Sequence, residues 1–544
     1  MTRTKLILTT AAVVLVFVLL TGASFLGNVL ASAGSPYGPY DTFTRVLRFV
    51  KDNYVEEVDD TKLMDGAIVG MLEKLDPHST YLDADKNKKM QERNRGNFDG
   101  IGISFAIVDG NLTVISPIEG TPSWRLGLRP GDIIAKIDGV SARGIKEDEV
   151  FDKLRGPRGS SVHITLVREG EKEPLEYDIV REQIPIFSVP YAFMLRPEVG
   201  YVRMIRFSAT TSDELTKALQ KLEGQGMKKL VLDLRGNAGG YLNEAIAVSD
   251  KFLPAGKKIV YTVGRLPDAN EEYASSGRGD ETTCPLVVMV DHGSASASEI
   301  VSGAMQDWDR GLVVGETTFG KGLVQRQYQL PNSGALLLTV ARYFTPSGRL
   351  IQRDYSDRDK YLMEDVETIE QESAKADSTA ERPEFHTGLG RIVYGGGGIT
   401  PDHKISKRYL YPRLQQDLDR NRAYFEFAAH YLSGKDLKYA DFDAFDREVK
   451  IDAPAVSDFR AFLDRKKIAY NSDSLAAQDD MVRRGIKAEV ARTLFGENER
   501  YRVIIDADPA LTEALTYLPE AEKMLKQSLS ASGEGKNEKG KARR

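Results

Sequence analysis

Apolar and polar positions repeat with different periods along the chain, and these changes of period divide it into regions. Between residues 40 and 89, apolar residues recur every three or four positions, which predicts helices. From about 98 to 181, short apolar runs alternate with turn signals such as Pro130-Gly131-Asp132, which predicts strands. After Val199, apolar runs alternate with amphipathic stretches, which predicts an α/β core. Beyond Arg408 the period is helical again.

The region after Val199 predicts strands and helices in alternation. The predicted strands are Tyr201–Phe207, Leu230–Leu234, Ile259–Val263, Leu286–Val290, Val324–Leu330 and Ala335–Arg342. The predicted helices are Ser212–Leu222, Tyr241–Phe252 and a segment from about Ser296 to Trp308. A polar, acidic stretch at Lys360–Arg382 predicts a flexible insertion.

The first residues predict that the chain is exported. Arg3 and Lys5 precede an apolar run that starts at Leu6 and is long enough to span a bilayer, for which about 20 residues are needed. Ala31-Ser32-Ala33 has the small-x-small form of a signal-peptidase site. Residues 1–33 are therefore either a cleaved signal peptide or a retained membrane anchor. Both interpretations place the rest of the chain outside the cytoplasm, in a periplasm or cell envelope.

Charge and cysteine content narrow the classes of function. The chain has 74 basic and 80 acidic residues, a net charge of -6, and this balance predicts no nucleic-acid partner. Cys284 is the only cysteine in the sequence, so no intramolecular disulfide can form. The six histidines show no paired metal-ligand spacing, and no metal or organic cofactor is predicted.

A glycine-rich motif in the β region predicts peptide binding. Gly100-Ile101-Gly102-Ile103 has the form of a loop whose backbone N–H groups capture a terminal carboxylate, since glycine permits tight turns and close approach. The segments 116–134 and Leu154-Arg155-Gly156 resemble the rest of a PDZ domain. That resemblance implies that protein or peptide C-termini bind as an added strand along Ile103–Ile107. Arg155 is expected to be a solvated surface residue, with a position facing the core as the alternative.

A serine-rich segment predicts a nucleophile. Residues 291–299, Asp-His-Gly-Ser-Ala-Ser-Ala-Ser-Glu, follow an apolar strand and open a helix, where free N–H groups stabilise an oxyanion. The pattern alone does not choose among Ser294, Ser296 and Ser298. Ser296 to Glu299 also has the form of a capping box, in which the serine only caps the helix. His292 is an alternative base.

A second segment, Gly315-Glu-Thr-Thr-Phe-Gly-Lys-Gly-Leu-Val-Gln325, gives the serine segment a partner. Together the two segments resemble the carboxy-terminal processing (tail-specific) serine proteases. The resemblance implies that Ser296 is the nucleophile, Lys321 is the base and Gln325 orients the lysine. A solvated lysine titrates near pH 10.4, so the site must lower the pKa by desolvation. No carboxylate partner of the lysine is expected nearby.

A third segment, 232–241, Asp-Leu-Arg-Gly-Asn-Ala-Gly-Gly after a leucine, resembles the glycine-turn element of the same family. The resemblance implies an oxyanion hole made by the backbone N–H groups of Gly240 and Ala297, with Gly239 as the alternative to Gly240. The family's apolar run after Pro401-Asp402 is replaced here by His403-Lys404-Ile405. The last strand of the core is therefore not predicted.

The implied fold is an α/β protease core with a crotonase/ClpP-like mixed sheet and helices, an inserted β-rich PDZ domain, a helical N-terminal segment and a helical C-terminal extension. The expected boundaries are 38–92 for the N-terminal helices, 96–182 for the PDZ domain, 183–405 for the Ser–Lys core, 406–527 for the extension and 528–544 for a disordered basic tail.

The resemblance implies a serine endopeptidase that recognises protein C-termini through its PDZ domain and cleaves near them through an acyl-enzyme. Two alternatives are a catalytically silent PDZ adaptor and a protease that needs a partner for activation. The implied partners are substrate C-termini and, through the N-terminal segment, a membrane. The N-terminal helices suit a homodimer.

Overall fold

The computed structural model describes residues 38–168, 170–277, 282–358, 361, 382–405, 412–433 and 439–541, from residue 532 onward as backbone only. The predicted signal peptide or anchor in residues 1–33 lies outside these ranges, as does most of the predicted insertion at 360–382. Within the described residues, no helix is long and apolar enough to cross a membrane.

The residues up to Lys74 form a unit of their own. Its described part contains helices α1 (Gly38–Asn53) and α2 (Asp60–Leu72). The carboxylate of Asp59 accepts hydrogen bonds from the N–H groups of Thr61 and Lys62 and caps the second helix.

The second unit begins at Leu75 and contains a β-rich domain after helix α3 (Ala84–Arg95). Strands β2 (Asn97–Gly100) and β9 (Glu182–Pro185) pair at the base of the domain, so it is inserted between neighbouring parts of the chain. Its other elements are β3 (Ile103–Val108), β4 (Asn111–Pro117), α4 (Pro122–Arg125), β5 (Ile133–Ile137), β6 (Val140–Ser141), α5 (Glu147–Leu154), β7 (Ser161–Val167) and β8 (Leu175–Val180). They form an antiparallel sheet in the order β3-β4-β5-β7-β8, with β6 paired to β5.

The part of the chain from Tyr191 to Lys404 contains a six-stranded sheet in the order β10-β11-β12-β15-β16-β21. The strands are β10 (Tyr191–Arg196), β11 (Val199–Arg203), β12 (Lys229–Asp233), β15 (Leu286–Val290), β16 (Leu312–Gly315) and β21 (His403–Lys404). Strand β10 is antiparallel to β11 and the others run parallel. Strand β21, which the sequence left undefined, is added through backbone pairing to β16, for which apolar side chains are not required.

Both faces of this sheet are covered, which explains why β15 is apolar and buried at every position. Helices α6 (Thr211–Gly224), α7 (Leu242–Asp250) and α8 (Ala297–Asp307) pack on one face, in a cluster that includes Leu232 and Val288. The other face, which includes Val231 and Val287, packs against residues of the C-terminal extension.

The extension is helical, as predicted. Its helices are α9 (Arg413–Arg420), α10 (Ala423–Leu432), α11 (Phe442–Glu448), α12 (Ala453–Lys466), α13 (Ser472–Ala477), α14 (Asp479–Phe495), α15 (Glu497–Ile505), α16 (Pro509–Leu515) and α17 (Leu518–Lys541). The earlier helices share a core that includes Phe427 and Phe459, and the last three contact the sheet. The structure differs from the predicted disordered tail at 528–544, because α17 continues to Lys541. This helix starts from a buried Leu518, and no proline follows Pro519 to end it.

A second, antiparallel sheet lies in the same unit. It contains β1 (Thr80–Leu82), β13 (Lys258–Gly264), β14 (Glu272–Ala274), β17 (Leu323–Gln329) and β18 (Ala335–Phe344), and β19 (Glu384–His386) pairs with β20 (Ile392–Tyr394) elsewhere. Strand β17 begins two residues after Lys321 and carries Gln325. The predicted combination of mixed sheets and helices with helical ends is confirmed.

Candidate active site

Ser296 lies at the junction between the β15 turn and helix α8, with an unusual backbone conformation. Its φ is 56° and its ψ is -110°, whereas a helix-capping serine has extended backbone. A positive φ is uncommon for a residue with a side chain and stores strain. Simple capping of the helix therefore does not account for the conformation of Ser296.

The neighbouring serines have structural roles. The Ser294 hydroxyl donates to the carbonyl of Leu234 at 2.9 Å, and the Ser298 hydroxyl donates to the carbonyl of Asn237 at 2.7 Å. Both serines are fully buried. Their hydroxyls tie the serine segment to the glycine turn that follows β12.

Lys321 and Gln325 are hydrogen-bonded to each other. The Lys321 amine donates to Gln325 Oε1 at 3.0 Å, and Gln325 Nε2 donates to the carbonyl of His78 at 2.6 Å. Burial lowers the pKa of Lys321 below its usual range, although the carboxylates of Glu299 and Asp76 act to raise it. The net effect favours the neutral amine that a base requires.

Glu299 joins the serine and lysine segments. Its Oε2 accepts hydrogen bonds from the backbone N–H groups of Ser296 at 2.7 Å and Lys321 at 2.9 Å. Its Oε1 accepts from the Thr318 hydroxyl at 2.6 Å and the Gly320 N–H at 2.7 Å. Burial raises the pKa of the Glu299 carboxyl, while these hydrogen bonds act to lower it. The expectation that no carboxylate lies near Lys321 is wrong, because the residue that looked like half of a capping box reaches the lysine segment.

The glycine turn, residues 236–240, packs directly against Ser296. A Cβ added to Gly239 would lie 2.9 Å from Ala297 N, and the φ of +92° at this position is also unfavourable for other residues. The Gly239 N–H donates to Asn237 Oδ1 at 3.0 Å, so it is already occupied. Among the described residues, no hydrogen-bond acceptor is recorded for the N–H of Gly240 or Ala297.

Six residues singled out in the sequence line one cavity of about 560 Å³. They are Gly239, Gly240, Ser296, Ala297, Lys321 and Gln325. Apolar side chains line the same cavity, among them Leu242, Ile300, Leu323 and Leu337. This arrangement places a strained serine, a desolvated lysine and unoccupied N–H groups around a space that accommodates an apolar side chain.

His292 takes no part in this arrangement. Its Nε2 lies 3.7 Å from Glu316 Oε2, and His292 is not one of the described residues that line the cavity. The sequence did not predict a role for another histidine, His78, whose backbone carbonyl positions Gln325. The Asp76 carboxylate holds that backbone by accepting from the N–H groups of His78 and Ser79, both at 2.8 Å.

The peptide-binding motif lies in the β-rich domain, apart from the cavity residues. Gly102 has a φ of +83°, and a Cβ there would lie 2.3 Å from Thr121. The carbonyl of Ile101 accepts from the Ser123 hydroxyl at 2.7 Å, and that of Gly102 accepts from the Thr121 hydroxyl at 3.1 Å. The 118–123 segment thus fixes the loop between Gly100 and Ile103. Strand β3 is at one edge of its sheet, and no described strand pairs with its outer side.

Arg155, which was expected to be a solvated surface residue, is only partly exposed, at 34% for its side chain. Its guanidinium lies 2.8 Å from Glu92 of helix α3 and stacks over Phe98 and Phe151, at 4.3 and 4.7 Å from the ring centroids. The neighbours Met90, Arg93 and Asn94 on the same helix line the cavity. Arg155 therefore links the β-rich domain to a wall of the cavity.

Sequence profiles divide the chain in a similar way. The profile of peptidase family S41 matches residues 198–361, a PDZ-domain profile matches 113–168, and the profile of the activating protease CtpB N-terminal domain matches 35–86. Residues 415–496 match a family of unknown function.

Named relatives are similar to the chain over more than half of its length. The chain is 40% identical over 335 residues to a carboxy-terminal-processing protease of Bartonella bacilliformis, covering 60% of this chain and 76% of the relative. It is 36% identical over 332 residues to the carboxy-terminal processing protease CtpA of Bacillus subtilis, covering 61% and 70%. The solved photosystem II D1 C-terminal processing protease aligns with 56% of this chain and 83% of its own, at 29% identity and a TM-score of 0.32.

The identity of 40% holds over three quarters of the Bartonella relative, and the S41 profile spans both the serine and the lysine segment. The chain therefore belongs to the carboxy-terminal processing proteases of peptidase family S41, and it is a serine-type peptidase with a PDZ domain.

Proposed function

We propose that the protein is a serine endopeptidase that captures substrate C-termini through its PDZ domain and cleaves near them with a Ser296–Lys321 dyad. The observation that carries this proposal is the shared cavity, which both the strained serine and the desolvated lysine line. Each residue alone has structural explanations. Their presence in one cavity, together with Gln325 and unoccupied N–H groups, is the arrangement expected of a nucleophile and its base.

The proposed reaction begins with proton transfer. Neutral Lys321 removes the Ser296 hydroxyl proton as Oγ attacks the peptide carbonyl carbon. The lysine ammonium then gives that proton to the departing amine, which leaves an acyl-enzyme. A water molecule then attacks the ester carbon while Lys321 takes its proton. The ammonium returns that proton to Ser296 Oγ as the acyl–oxygen bond breaks and the product with the new carboxyl terminus leaves. Gln325 holds the amine, and the His78 carbonyl in turn holds Gln325.

The oxyanion of each tetrahedral intermediate is assigned to the N–H groups of Gly240 and Ala297. Both line the cavity, and neither has a recorded acceptor among the described residues. Gly239 is the weaker choice because its N–H already donates to Asn237. Two preorganised backbone donors stabilise charge that develops only during reaction.

The PDZ part of the proposal assigns the substrate carboxylate to the loop from Gly100 to Ile103 and the preceding residues of the substrate to the open edge of β3. The groove would lie between β3 and α5, where the rings of Phe105 and Phe151 are 5.3 Å apart. Main-chain pairing supplies affinity without strict sequence specificity. Substrates would thus share an apolar C-terminus and little else.

Several further assignments belong to the same proposal. The N-terminal charge pattern supports an extracytoplasmic location, with residues 1–33 as signal or anchor. Homodimer formation through the N-terminal helices is proposed from the family resemblance. The parallel strands with helices on both faces support the crotonase/ClpP-like description of the core.

The test is degradation of a denatured protein with an apolar C-terminus by the full chain. Ser296→Ala and Lys321→Ala are expected to abolish cleavage. Ser302→Ala is the matched control, because its buried hydroxyl lies on the same helix and only donates to the carbonyl of Ser298. A serine-acylating reagent should label wild type at Ser296, as read by peptide mass mapping.

Retained cleavage by Ser296→Ala, or labelling at Ser294 instead, would overturn the assignment of the nucleophile. Normal cleavage by Lys321→Ala would overturn the base. A wild-type chain that binds the substrate but never cuts it would indicate an adaptor or a partner-dependent protease.

A further inference from the structure

A buried carboxylate stands at the start of the glycine turn. Asp233, the last residue of β12, is fully buried. Its oxygens lie 2.6 Å from Arg203 and 2.6 Å from Arg235, and accept from the Tyr201 hydroxyl at 2.7 Å. Burial acts to raise the pKa of Asp233, but the two arginines hold it far below the usual range. Within the core alone, two positive charges share one negative charge.

The C-terminal extension supplies the missing negative charge. Asp508 Oδ2 lies 2.7 Å from the guanidinium nitrogen Nη1 of Arg235, and Asp508 is 9% exposed. The Tyr501 hydroxyl lies 3.2 Å from the Tyr201 hydroxyl and extends the same network. Arg203, Arg235, Asp233 and Asp508 then sum to zero charge. An unpaired charge at such a site is unfavourable, so the charge balance of the cluster depends on the extension.

The balanced cluster lies at the start of the glycine turn that ends at Gly240, one of the proposed oxyanion donors. Arg235 is followed directly by Gly236, whose N–H donates to the Asp291 carboxylate at 2.7 Å, and by Asn237, whose amide donates to the Met204 carbonyl at 3.1 Å. Gly240 closes the same turn. A shift of Arg235 would move a segment that has little freedom and touches the nucleophile.

We propose that Asp508 and Tyr501 are positioning residues of the protease. Through them the C-terminal extension holds Arg235 and Asp233, and these two residues hold the glycine turn that ends at Gly240. This inference rests on the proposed role of Gly240. It gives the end of the extension a role in positioning the active site. The part of the extension before Tyr501, residues 415–496, matches a family of unknown function.

Deletion of the extension would not test this role. Buried residues of α15 to α17, among them Ile505, Leu511 and Leu518, cover one face of the catalytic sheet. Removing them would expose that face and would unfold or aggregate the core. Point substitutions in the full chain are needed instead.

The central variant is Asp508→Asn. Asp508 also caps helix α16 by accepting from the Ala510 N–H at 2.8 Å, and asparagine preserves such a cap while it removes the charge. Asp506→Asn is the matched control, since Asp506 also joins the extension to a core arginine, Arg196, at 2.6 Å, but at an exposed site away from Asp233.

The assay measures kcat and KM on a model substrate and the inhibition constant of a peptide aldehyde, whose adduct with the serine carries an oxyanion. Outright loss of an oxyanion donor lowers kcat about 100- to 1000-fold, so a displaced turn is expected to cost about tenfold. For Asp508→Asn, we expect kcat and aldehyde affinity to fall together while KM stays near wild type and the protein remains folded at the assay temperature. Asp508→Glu, which keeps the negative charge, should lower kcat less than Asp508→Asn does.

Tyr501→Phe provides a second variant that keeps the stacking on Tyr191, with ring centroids 3.8 Å apart, and loses only the hydroxyl. It should lower kcat to a smaller extent, about two- to threefold, in line with one neutral hydrogen bond. Wild-type kcat and aldehyde affinity in both Asp508→Asn and Tyr501→Phe would overturn the inference. Equal losses in Asp506→Asn would also overturn it.

The Ser296→Ala variant in the same assay separates this inference from the proposed function. If Ser296→Ala still cuts, the dyad itself is wrong, whatever Asp508→Asn does. If Ser296→Ala is inactive and Asp508→Asn behaves as wild type, only the role of the extension is wrong.

Discussion

Glu299→Gln tests whether one carboxylate holds both halves of the active site. In the native chain, Oε2 accepts from the N–H groups of Ser296 and Lys321, and Oε1 accepts from the Gly320 N–H and the Thr318 hydroxyl. Glutamine has one carbonyl oxygen and one NH2 group. If its oxygen takes the Oε2 position, the Thr318 hydroxyl can rotate and accept, but the Gly320 N–H then has no acceptor.

The opposite amide orientation leaves the N–H groups of Ser296 and Lys321 without acceptors, so the first orientation is favoured. One orphaned buried N–H costs about 1–3 kcal/mol. Domains of this kind have about 5–15 kcal/mol of stability, so the variant should still fold. If the lysine segment moves to relieve the cost, the same free energy added to the reaction barrier lowers kcat about 5- to 150-fold.

Glu214→Gln is the matched control. Glu214 Oε2 accepts from the N–H groups of Ser188 and Val189, both at 2.8 Å, and Oε1 accepts from the Thr210 hydroxyl at 2.6 Å. Glutamine satisfies that set, because its oxygen keeps both N–H groups and the hydroxyl can rotate. The free energy of unfolding should change by less than about 1 kcal/mol.

Urea unfolding and steady-state kinetics on both variants give the answer. A Glu299→Gln variant with wild-type stability and wild-type kcat would refute the idea that this carboxylate is the shared acceptor. A loss of stability with unchanged kcat would show that the lysine segment keeps its position without it.

Three further outcomes are expected. Because burial lowers the pKa of Lys321, kcat/KM should rise with pH through a pKa below 10.5, and Lys321→Arg, which stays charged, should be inactive at every pH measured. Gln325→Glu places a carboxylate beside the amine, so the rising limb of the pH profile should move up by about 1–3 pH units, and an unmoved limb would argue against Lys321 as the base. Gly102→Ala should raise KM for substrates with an apolar C-terminus because its Cβ meets Thr121, whereas Gly110→Ala, with a similar φ and open space, should not. Hydrolysis of a short internal peptide should distinguish binding by the PDZ domain from damage to the core.

The sequence predicted the local elements well because their signals are local. The rhythm of apolar runs located the strands that became β12 and β15, and the Ser-x-x-Glu pattern located the start of α8. The choice of Ser296 over Ser294 came from family resemblance. In the structure the physical difference is visible, since Ser294 donates to the Leu234 carbonyl and the Ser296 backbone is strained.

The missed features are contacts between segments far apart in the chain. In the sequence Glu299 looks like the glutamate of an ordinary helix-capping box. Only the packing of residues 318–321 against α8 shows that its carboxylate also accepts hydrogen bonds from the lysine segment. His78 contributes a backbone carbonyl, which any residue possesses, so no side-chain pattern could mark it. Asp508 sits in a common Asp-Pro helix start and pairs with Arg235 across 273 positions (508 − 235 = 273). Pairings of this kind depend on topology, which periodicity does not encode.

The dependence of the catalytic sheet on α15 to α17 has a consequence for how the enzyme is made. A chain that folds as it is synthesised or exported forms its N-terminal parts first. The strands that carry the catalytic segments therefore emerge well before the helices that cover one of their faces. During that interval the sheet exposes apolar residues such as Val231 and Val287, and exposed apolar surface of this kind makes a partly folded chain prone to aggregation. We expect the same interval to be proteolytically silent, so that cutting starts only after the extension has docked, and neighbouring nascent chains are spared.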